Sequence, residues 1–440
     1  MAESFIVFMY MISLLLHLPT GASPAAPQCH EDERSALLDL KRSLKEGPEH
    51  CYFQFLLRGD YRKLESWKLE ESQEGRNCCS WSRVQCDERT GHVIGLDLSN
   101  ACLYGSINSS SSLFRLVHLE NLKLTFNNFS FSSIPPEIGN LSRLTVLELA
   151  GNVLTGEIPS SFGNLTRLSS LDLSVNQLTG QIPSFLGSIH QLSELDLADN
   201  KLTGQIPKWF SIFVYMRFLN LSGNSLTRFP QPSVFPDWKQ LLGLDLWSNQ
   251  LHGPFRVVPL ATMQFYFFSE NRLSGTISSM ICNASNIRVL DPAKNNLSGV
   301  IPQCLSNLSS TLTMLSLYDN NFKGGIPEFQ SSTCSLRMID LSSNQLEGSI
   351  PRVKQFNTFD SSSYKGNAGL CGEPLSKKCA GPDNVAPPAP AAGDDHEGSN
   401  TLFDNFDWKI ILMGFARGLV IGVVLGQGIN IGGDNLFDEM

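Results

Sequence analysis

Asparagine recurs through most of this 440-residue chain on a near-constant beat, at positions 127, 152, 176, 200, 224, 249, 271, 295, 320 and 344. The intervals run from 22 to 25 residues. Each asparagine carries the same apolar frame. Around Asn176 it is Leu168, Leu171 and Leu173 on one side and Leu178, Gly180, Ile182 and Pro183 on the other. A unit of this length cannot bury its own apolar face and must stack on its neighbours. The chain is thereby restricted to a quasi-one-dimensional stack that presents one long wall to a partner and seldom encloses a catalytic pocket.

Within a unit, Leu171-Asp172-Leu173 alternates like a strand, so both leucines point inward and Asp172 points out. Asn176 follows where the chain leaves the strand. Its amide has both donors and an acceptor, and can satisfy backbone groups freed by the turn. Leaving such a group buried and unpaired costs about 1–3 kcal/mol. Gly180 and Pro183 shape the outer side of the coil. This is the pattern of a leucine-rich repeat. The expected fold class is an α/β-type solenoid, a leucine-rich-repeat superhelix with a parallel β-sheet on the concave face, disulfide-capped ends and a C-terminal single transmembrane helix. Counting a degenerate first unit from Leu96 to Ile107, with Ala101 at its asparagine position, there are eleven units. One internal departure is sharp. Pro292 replaces the second strand leucine of Leu290-Asp291-Pro292. Proline cannot donate to a ladder, so a local break or strained strand is expected there.

The hydrophobic fraction is 42% and the formal net charge −9. The acidic balance argues against nucleic-acid partners. No phosphate-binding glycine loop, nucleophile elbow or metal-spaced histidine pair occurs, so no enzyme activity, cofactor or metal is expected. The eight histidines are scattered, and each reads as an ordinary surface residue. An apolar run from Phe5 to Leu18 followed by Thr20-Gly21-Ala22 reads as a secretory signal. Eleven cysteines fit an oxidising compartment. They form an N-terminal cluster of Cys29, Cys78, Cys79 and Cys86 and a C-terminal pair, Cys371 and Cys379. Zinc is the competing reading of these clusters, against finger spacing. Cys282 and Cys304 fall on adjacent coils and could bridge. Cys51, Cys102 and Cys334 remain, and an odd total leaves at least one thiol free or bonded between chains. Glycosylation sequons begin at Asn108, Asn128, Asn140, Asn164, Asn283, Asn296 and Asn307. An eighth, at Asn220, lies between Leu219 and Leu221 and faces the concave wall, where a glycan would crowd a ligand.

After Cys379 the composition turns to Ala, Pro, Gly and Asp, as in a solvated linker. An apolar stretch from Trp408 to about Leu425 follows, near the lower length limit of a spanning helix, with Arg417 inside it. Gly414, Gly418, Gly422 and Gly426 would form a smooth ridge on one helix face, a packing signal for a membrane helix with a partner. On the concave wall, positions flanking the strand leucines are polar in early units (Glu148, Ser170, Asp172, Glu194, Asp196). They turn aromatic later (Phe218, Trp247, Phe265, Phe267, Tyr318). Exposed aromatics on a rigid wall are candidate ligand anchors. Nearby acids, Asp245, Glu270, Asp291 and Asp340, favour a basic or mixed peptide. Tyr266 and Phe268 are expected to point inward.

Several segments together resemble one family, the plant leucine-rich-repeat receptor-like proteins of the disease-resistance type, which lack a kinase domain. They are Cys29 to Leu38 (CHEDERSALL), Cys78 to Cys86 (CCSWSRVQC), Gly91 to Leu98 (GHVIGLDL), Gln355 to Phe359 (QFNTF) and Tyr364 to Gly372 (YKGNAGLCG). The chain differs from that family in having fewer repeats and no non-repeat island, as if shortened internally. The resemblance supports pairings Cys29–Cys78, Cys79–Cys86 and Cys371–Cys379. It implies a signal peptide at 1–22, a cysteine-containing N-terminal cap at 23–91, repeats at 92–351 and a C-terminal cap at 352–380. An acidic juxtamembrane linker at 381–407, a transmembrane helix at 408–426 and a short tail at 427–440 would follow. The implied function is a plasma-membrane receptor-like protein, single-pass with its repeats extracellular. It would bind an extracellular protein or peptide ligand on its concave face and signal, in plant defence, through a membrane-bound co-receptor kinase met by the transmembrane helix. The alternatives are a protein secreted to the apoplast that inhibits a microbial wall-degrading enzyme, of the polygalacturonase-inhibitor type, or a truncated non-signalling relic.

Overall fold

The computed structural model describes residues 28–47, 64–68, 77–129, 132–229, 238–255, 261–329, 334–352 and 355–379. The expected signal segment, linker, membrane segment and tail lie outside these residues. Among the described residues no helix is long and apolar enough to cross a membrane.

Each repeat unit builds one short strand around its inward residues, and the N-terminal cap adds one more. In chain order the strands are β1 (Val84–Cys86), β2 (Val93–Asp97), β3 (Asn121–Lys123), β4 (Val146–Glu148), β5 (Ser170–Asp172), β6 (Glu194–Asp196), β7 (Phe218–Asn220), β8 (Gly243–Asp245), β9 (Phe265–Phe267), β10 (Val289–Asp291), β11 (Met314–Ser316) and β12 (Met338–Asp340). They form one twelve-stranded sheet in that order. β1 runs antiparallel to β2, and the pairings beyond it are parallel, as between β5 and β6. The register stacks like on like: Leu147 faces Leu171, which faces Leu195, which faces Leu219. These leucines are at most 2% exposed. The solenoid expectation is borne out.

The asparagines form a single buried file. All ten are at most 9% exposed. The amide nitrogen of Asn176 donates to the oxygens of Leu149 one coil back and of Leu173 and Ser174 in its own coil. Its Oδ1 accepts the N–H groups of Asn152 and Leu154. One side chain thus satisfies five backbone groups of two coils, which leucine could not do. The file has an eleventh member that the repeat count missed. Asn367, in the C-terminal cap, accepts from Leu346 N and donates to Leu341 O. The residue before each asparagine is left-handed, with φ between 49° and 56° at Phe126, Val175, Asp199, Ser248, Glu270, Lys294, Asp319 and Ser343. Glycine takes that place at Gly151 and Gly223.

Pro292 has a milder effect than expected. β10 persists and its first two residues pair with β11, but the third rung is missing. In other coils the residue at this position donates across the sheet, as Leu246 N does to Phe267 O. Pro292 has no such proton. It stands just past the strand, so it deletes one bond and leaves the strand intact.

On the opposite side the coils carry 3-10 turns, such as Pro136–Asn140 and Ser160–Asn164. They also carry short strands that assemble a second parallel sheet, from His252–Pro254 to Gly369–Cys371. The N-terminal cap is built on helix α1 (Glu31–Ser43), with acids in its first turn and Lys41 and Arg42 in its last, as the helix dipole favours. Ala36, Leu37 and Leu40 are buried beneath it. Arg115 pairs with Asp39, and Ser112 Oγ donates to Ala36 O, which fastens the first coil to α1. Disulfides join Cys29 to Cys78, Cys79 to Cys86, Cys282 to Cys304 and Cys371 to Cys379. Cys102 is also disulfide-bonded, and Cys334 is free among the described residues.

The concave face as candidate ligand site

The wall residues come from three positions of each coil, one before, one between and one just after the inward leucines, the last including Trp247 and Tyr318. In early coils they pair with each other. Lys123 Nζ lies 2.8 Å from Glu148, Ser170 Oγ donates to Glu194, and the Asn220 amide donates to Asp196 Oδ2 at 3.0 Å. Asn220 is also the acceptor for Ser222 N–H and hydroxyl, so this sequon asparagine is hydrogen-bonded within the wall.

The acids between the leucines have a structural duty that the repeat pattern concealed. Asp172, Asp196, Asp245, Asp291 and Asp340 each accept the backbone N–H two residues on, at 2.9–3.1 Å. This local turn motif holds the chain as it leaves the strand. One carboxylate oxygen of each is therefore committed to the backbone. Burial raises all of these groups. It lifts Asp196 well above the ordinary range, with Asp172 adding repulsion. It pushes Asp245 up to about 7, with the repulsion of Asp291 behind it, against the Trp247 N–H bond. Asp291 rises to about 6, because burial outweighs its bonds to Ser269 and Ala293. Glu148 is raised by burial despite Lys123.

The aromatic residues divide. Phe218, Trp247 and Tyr318 are partly exposed on the wall. Phe265 and Phe267 are 8% and 7% exposed, which corrects their reading as exposed anchors. The reason lies in the neighbouring coils. Phe218, Gly243 and Phe265 are in register. A Cβ on Gly243 would stand 2.9 Å from Phe218 and 3.9 Å from Phe265. The missing side chain leaves room for the Phe218 ring over the glycine, beside the Cβ of Phe265. Phe267 sits in register between Asp245 and Asp291, whose carboxyl groups burial raises. Tyr266 and Phe268 are fully buried, as expected. Lys294 bridges from Glu270, at 2.9 Å, to the face of Tyr318, at 6.0 Å from the ring centre. Arg217 lies over Phe218. Met338 is 41% exposed at the far end of the same wall. The face is thus a polar, internally paired first half and a second half of partly exposed aromatics edged by cations.

Family models match three parts of the chain: a leucine-rich repeat N-terminal domain over residues 30–87, a leucine-rich repeat region over 93–222 and a further leucine-rich repeat over 335–353. Receptor-like protein 6 of Arabidopsis thaliana is 37% identical over 141 residues, which is 31% of this chain and 14% of the relative. Receptor-like protein Cf-9 of Solanum pimpinellifolium is 37% identical over 139 residues, 30% of this chain and 15% of the relative. The chain is a leucine-rich-repeat protein, and about a third of it is similar to plant receptor-like proteins. The matched part spans a small share of those relatives' length.

Among solved structures, the chain is similar to PEPR1–AtPEP1, with a TM-score of 0.62 and 26% identity, covering 78% of this chain and 49% of that one. The plant peptide hormone receptor RGFR1 in complex with RGF2 gives 0.51 and 32%, covering 56% and 43%. A plant ice-binding protein gives 0.58 and 27%, covering 80% of this chain and 99% of that one.

Proposed function

We propose that this receptor-like protein binds an extracellular peptide or protein on the second half of its concave face. Phe218, Trp247 and Tyr318 would be the anchors, and Phe265 and Phe267 the packed floor beneath them. The observation that carries this reading is the three partly exposed aromatics, with Lys294 and Glu270 beside Tyr318, on a wall whose first half is already paired with itself. Aromatic residues on a rigid support dominate binding energy in many interfaces. The similarity to a structure titled as a peptide hormone receptor supports the same class of ligand. The test is a screen of the full chain against displayed peptides. Any peptide recovered should lose at least tenfold in affinity on Trp247→Ala or Tyr318→Ala. Unchanged affinity in both variants would remove the aromatic lane from the binding site.

The finer reading is that the protein is anchored at the plasma membrane by residues 408–426, signals through a co-receptor kinase that packs on Gly414, Gly418, Gly422 and Gly426, and serves in defence. It rests on the sequence and on the kinship with receptor-like proteins. Extraction from membranes by alkali alone, without detergent, would defeat the anchor. Glycosylation is proposed at Asn108, Asn128, Asn140, Asn164, Asn283, Asn296 and Asn307. Asn108, Asn140, Asn164, Asn283, Asn296 and Asn307 are exposed. Asn140 and Asn164 end 3-10 turns on the side away from the concave wall. A mass shift on enzymatic deglycosylation would check them.

A second reading has its own observation. The match to a plant ice-binding protein runs through nearly all of that chain. Thr155, Thr179, Thr203 and Thr227 stand at one position of four successive coils on the second face. The hydroxyls of Thr203 and Thr227 donate to Gly180 O and Gly204 O of the preceding coils, which fixes their spacing. If this face binds ice, the protein slows ice recrystallisation and Thr179→Tyr with Thr203→Tyr abolishes the effect.

A further inference from the structure

Glu33 is a buried carboxylate, 3% exposed, and among the described residues no lysine or arginine pairs with it. Its companions are two imidazoles from distant parts of the chain. His92, just before β2, and His118, in the loop before β3, each place Nδ1 3.2 Å from Glu33 Oε1. Glu33 Oε2 accepts the N–H of Val93 at 2.9 Å. His92 is sandwiched between His30 and His118, with ring centres 3.9 and 3.6 Å apart. His30 is occupied elsewhere, its Nε2 against Thr90 O. The reading of every histidine as an ordinary surface residue is therefore wrong for this group. Residues 59 and 85 positions from Glu33 meet it only because the cap folds onto the first coil.

We propose that Glu33, His92 and His118 form a binding site for a divalent transition metal of the zinc class, which staples α1 to the first repeat. Two imidazole nitrogens and one carboxylate oxygen are a donor set that zinc accepts. With metal–ligand distances of about 2.0–2.2 Å, donors around a tetrahedral ion stand about 3.4 Å apart. The three donor atoms lie within 4.8 Å of one another, and both N···O separations are already near that edge length. The imidazoles are partly exposed, which leaves an entry path and a fourth position for water. A dication also answers the charge problem, because a buried carboxylate is costly without a positive partner. The stacked rings are nearly parallel, at 19°, so one must tilt to direct its lone pair at the ion. His118 stacks on His92 alone among the described rings and is partly exposed, so it is the ring that tilts. In the free site each Nδ1 faces an accepting carboxylate oxygen and so carries the ring proton. On metal entry Nδ1 gives up that proton to solvent and Nε2 takes one from solvent, so neutral rings release no net proton and acid competes with the ion.

The experiment is calorimetric titration of the full chain with zinc chloride at pH 7.5, with magnesium chloride as control, and thermal melts with and without zinc. One zinc should bind per chain and raise the melting temperature, and magnesium should do neither. His118→Gln should lower zinc affinity at least tenfold, and Glu33→Gln likewise, whereas His30→Gln should leave it within twofold. Metal-free melts of each variant distinguish lost folding from lost binding, and the part-exposed His118 is the informative position if Glu33→Gln unfolds the cap. Absence of saturable zinc binding overturns the proposal. So does zinc binding that survives in the double variant His92→Gln/His118→Gln, or a cluster that responds to pH alone.

Discussion

The side-chain oxygen of Asn176 accepts the backbone N–H of Asn152, one coil earlier, at 3.1 Å. That bond repeats in kind along the stack and makes each asparagine a joint between two coils. Asn176→Leu removes the acceptor of two N–H groups and the donor to three carbonyls. Water in the partly opened coil recovers some of this, so the expected loss is about 3–5 kcal/mol. Equilibrium denaturation should show an earlier midpoint, with hydrogen exchange accelerated at Asn152 and Leu154. A midpoint unchanged from the parent would mean the file is ornamental.

Val175 precedes that asparagine in a left-handed conformation, φ 53°, which a β-branched side chain resists. Asparagine tolerates it. Val175→Asn should therefore stabilise the protein by about 1 kcal/mol, less whatever packing the half-buried valine provides. Denaturant midpoints measure the balance, and a clear fall would show that packing outweighs backbone strain.

The buried wall acids give a pH dependence of unusual sign. Asp245 titrates at about 7 and Asp291 at about 6 in the fold, above the ordinary value of 3.8. Between those values and 3.8 the folded state holds more protons than the unfolded chain, so acidification favours folding. Stability should rise as pH falls from 8 through 6, and the ionised acids should penalise the fold above pH 7. Asp245→Asn keeps the oxygen that accepts Trp247 N–H, as Asn220 does for Ser222 in its own coil. That variant should be about 1–2 kcal/mol more stable at pH 8 and show a flatter profile. A parent whose denaturation midpoint is lower at pH 6 than at pH 8 would contradict this assignment.

Pro292→Leu restores a donor at the one coil that lacks it among the described residues, opposite the carbonyl of Ser316. In a neighbouring coil the equivalent bond, Leu317 N to Asp340 O, is 2.7 Å long. The gain expected from one hydrogen bond is about 1 kcal/mol. Slower amide exchange at residue 292 and its neighbours would check it directly, and an unchanged midpoint would show that the proline ring already repays the lost bond through packing.

How much was legible follows from range. The asparagine beat, the inward leucines and the inward Tyr266 and Phe268 are set by alternation and period within one unit, and these were readable without coordinates. Asn367 was readable too: it stands 23 residues beyond Asn344 with Leu370 three places on, but its setting among cap residues hid it. Asp245 announced itself as a wall residue, not as the acceptor for Trp247, because side-chain bonding to the backbone has no spacing signal of its own.

The sequence by itself determined that the chain coils, in what register the coils stack and which face looks outward, because a strict period leaves one way to bury the leucines. Only the tertiary structure decided that Phe265 and Phe267 are buried, and that Glu33 meets His92 and His118. Those outcomes depend on which side chains neighbouring coils and the cap bring together, and contact across the stack is a property of three dimensions that no local pattern carries.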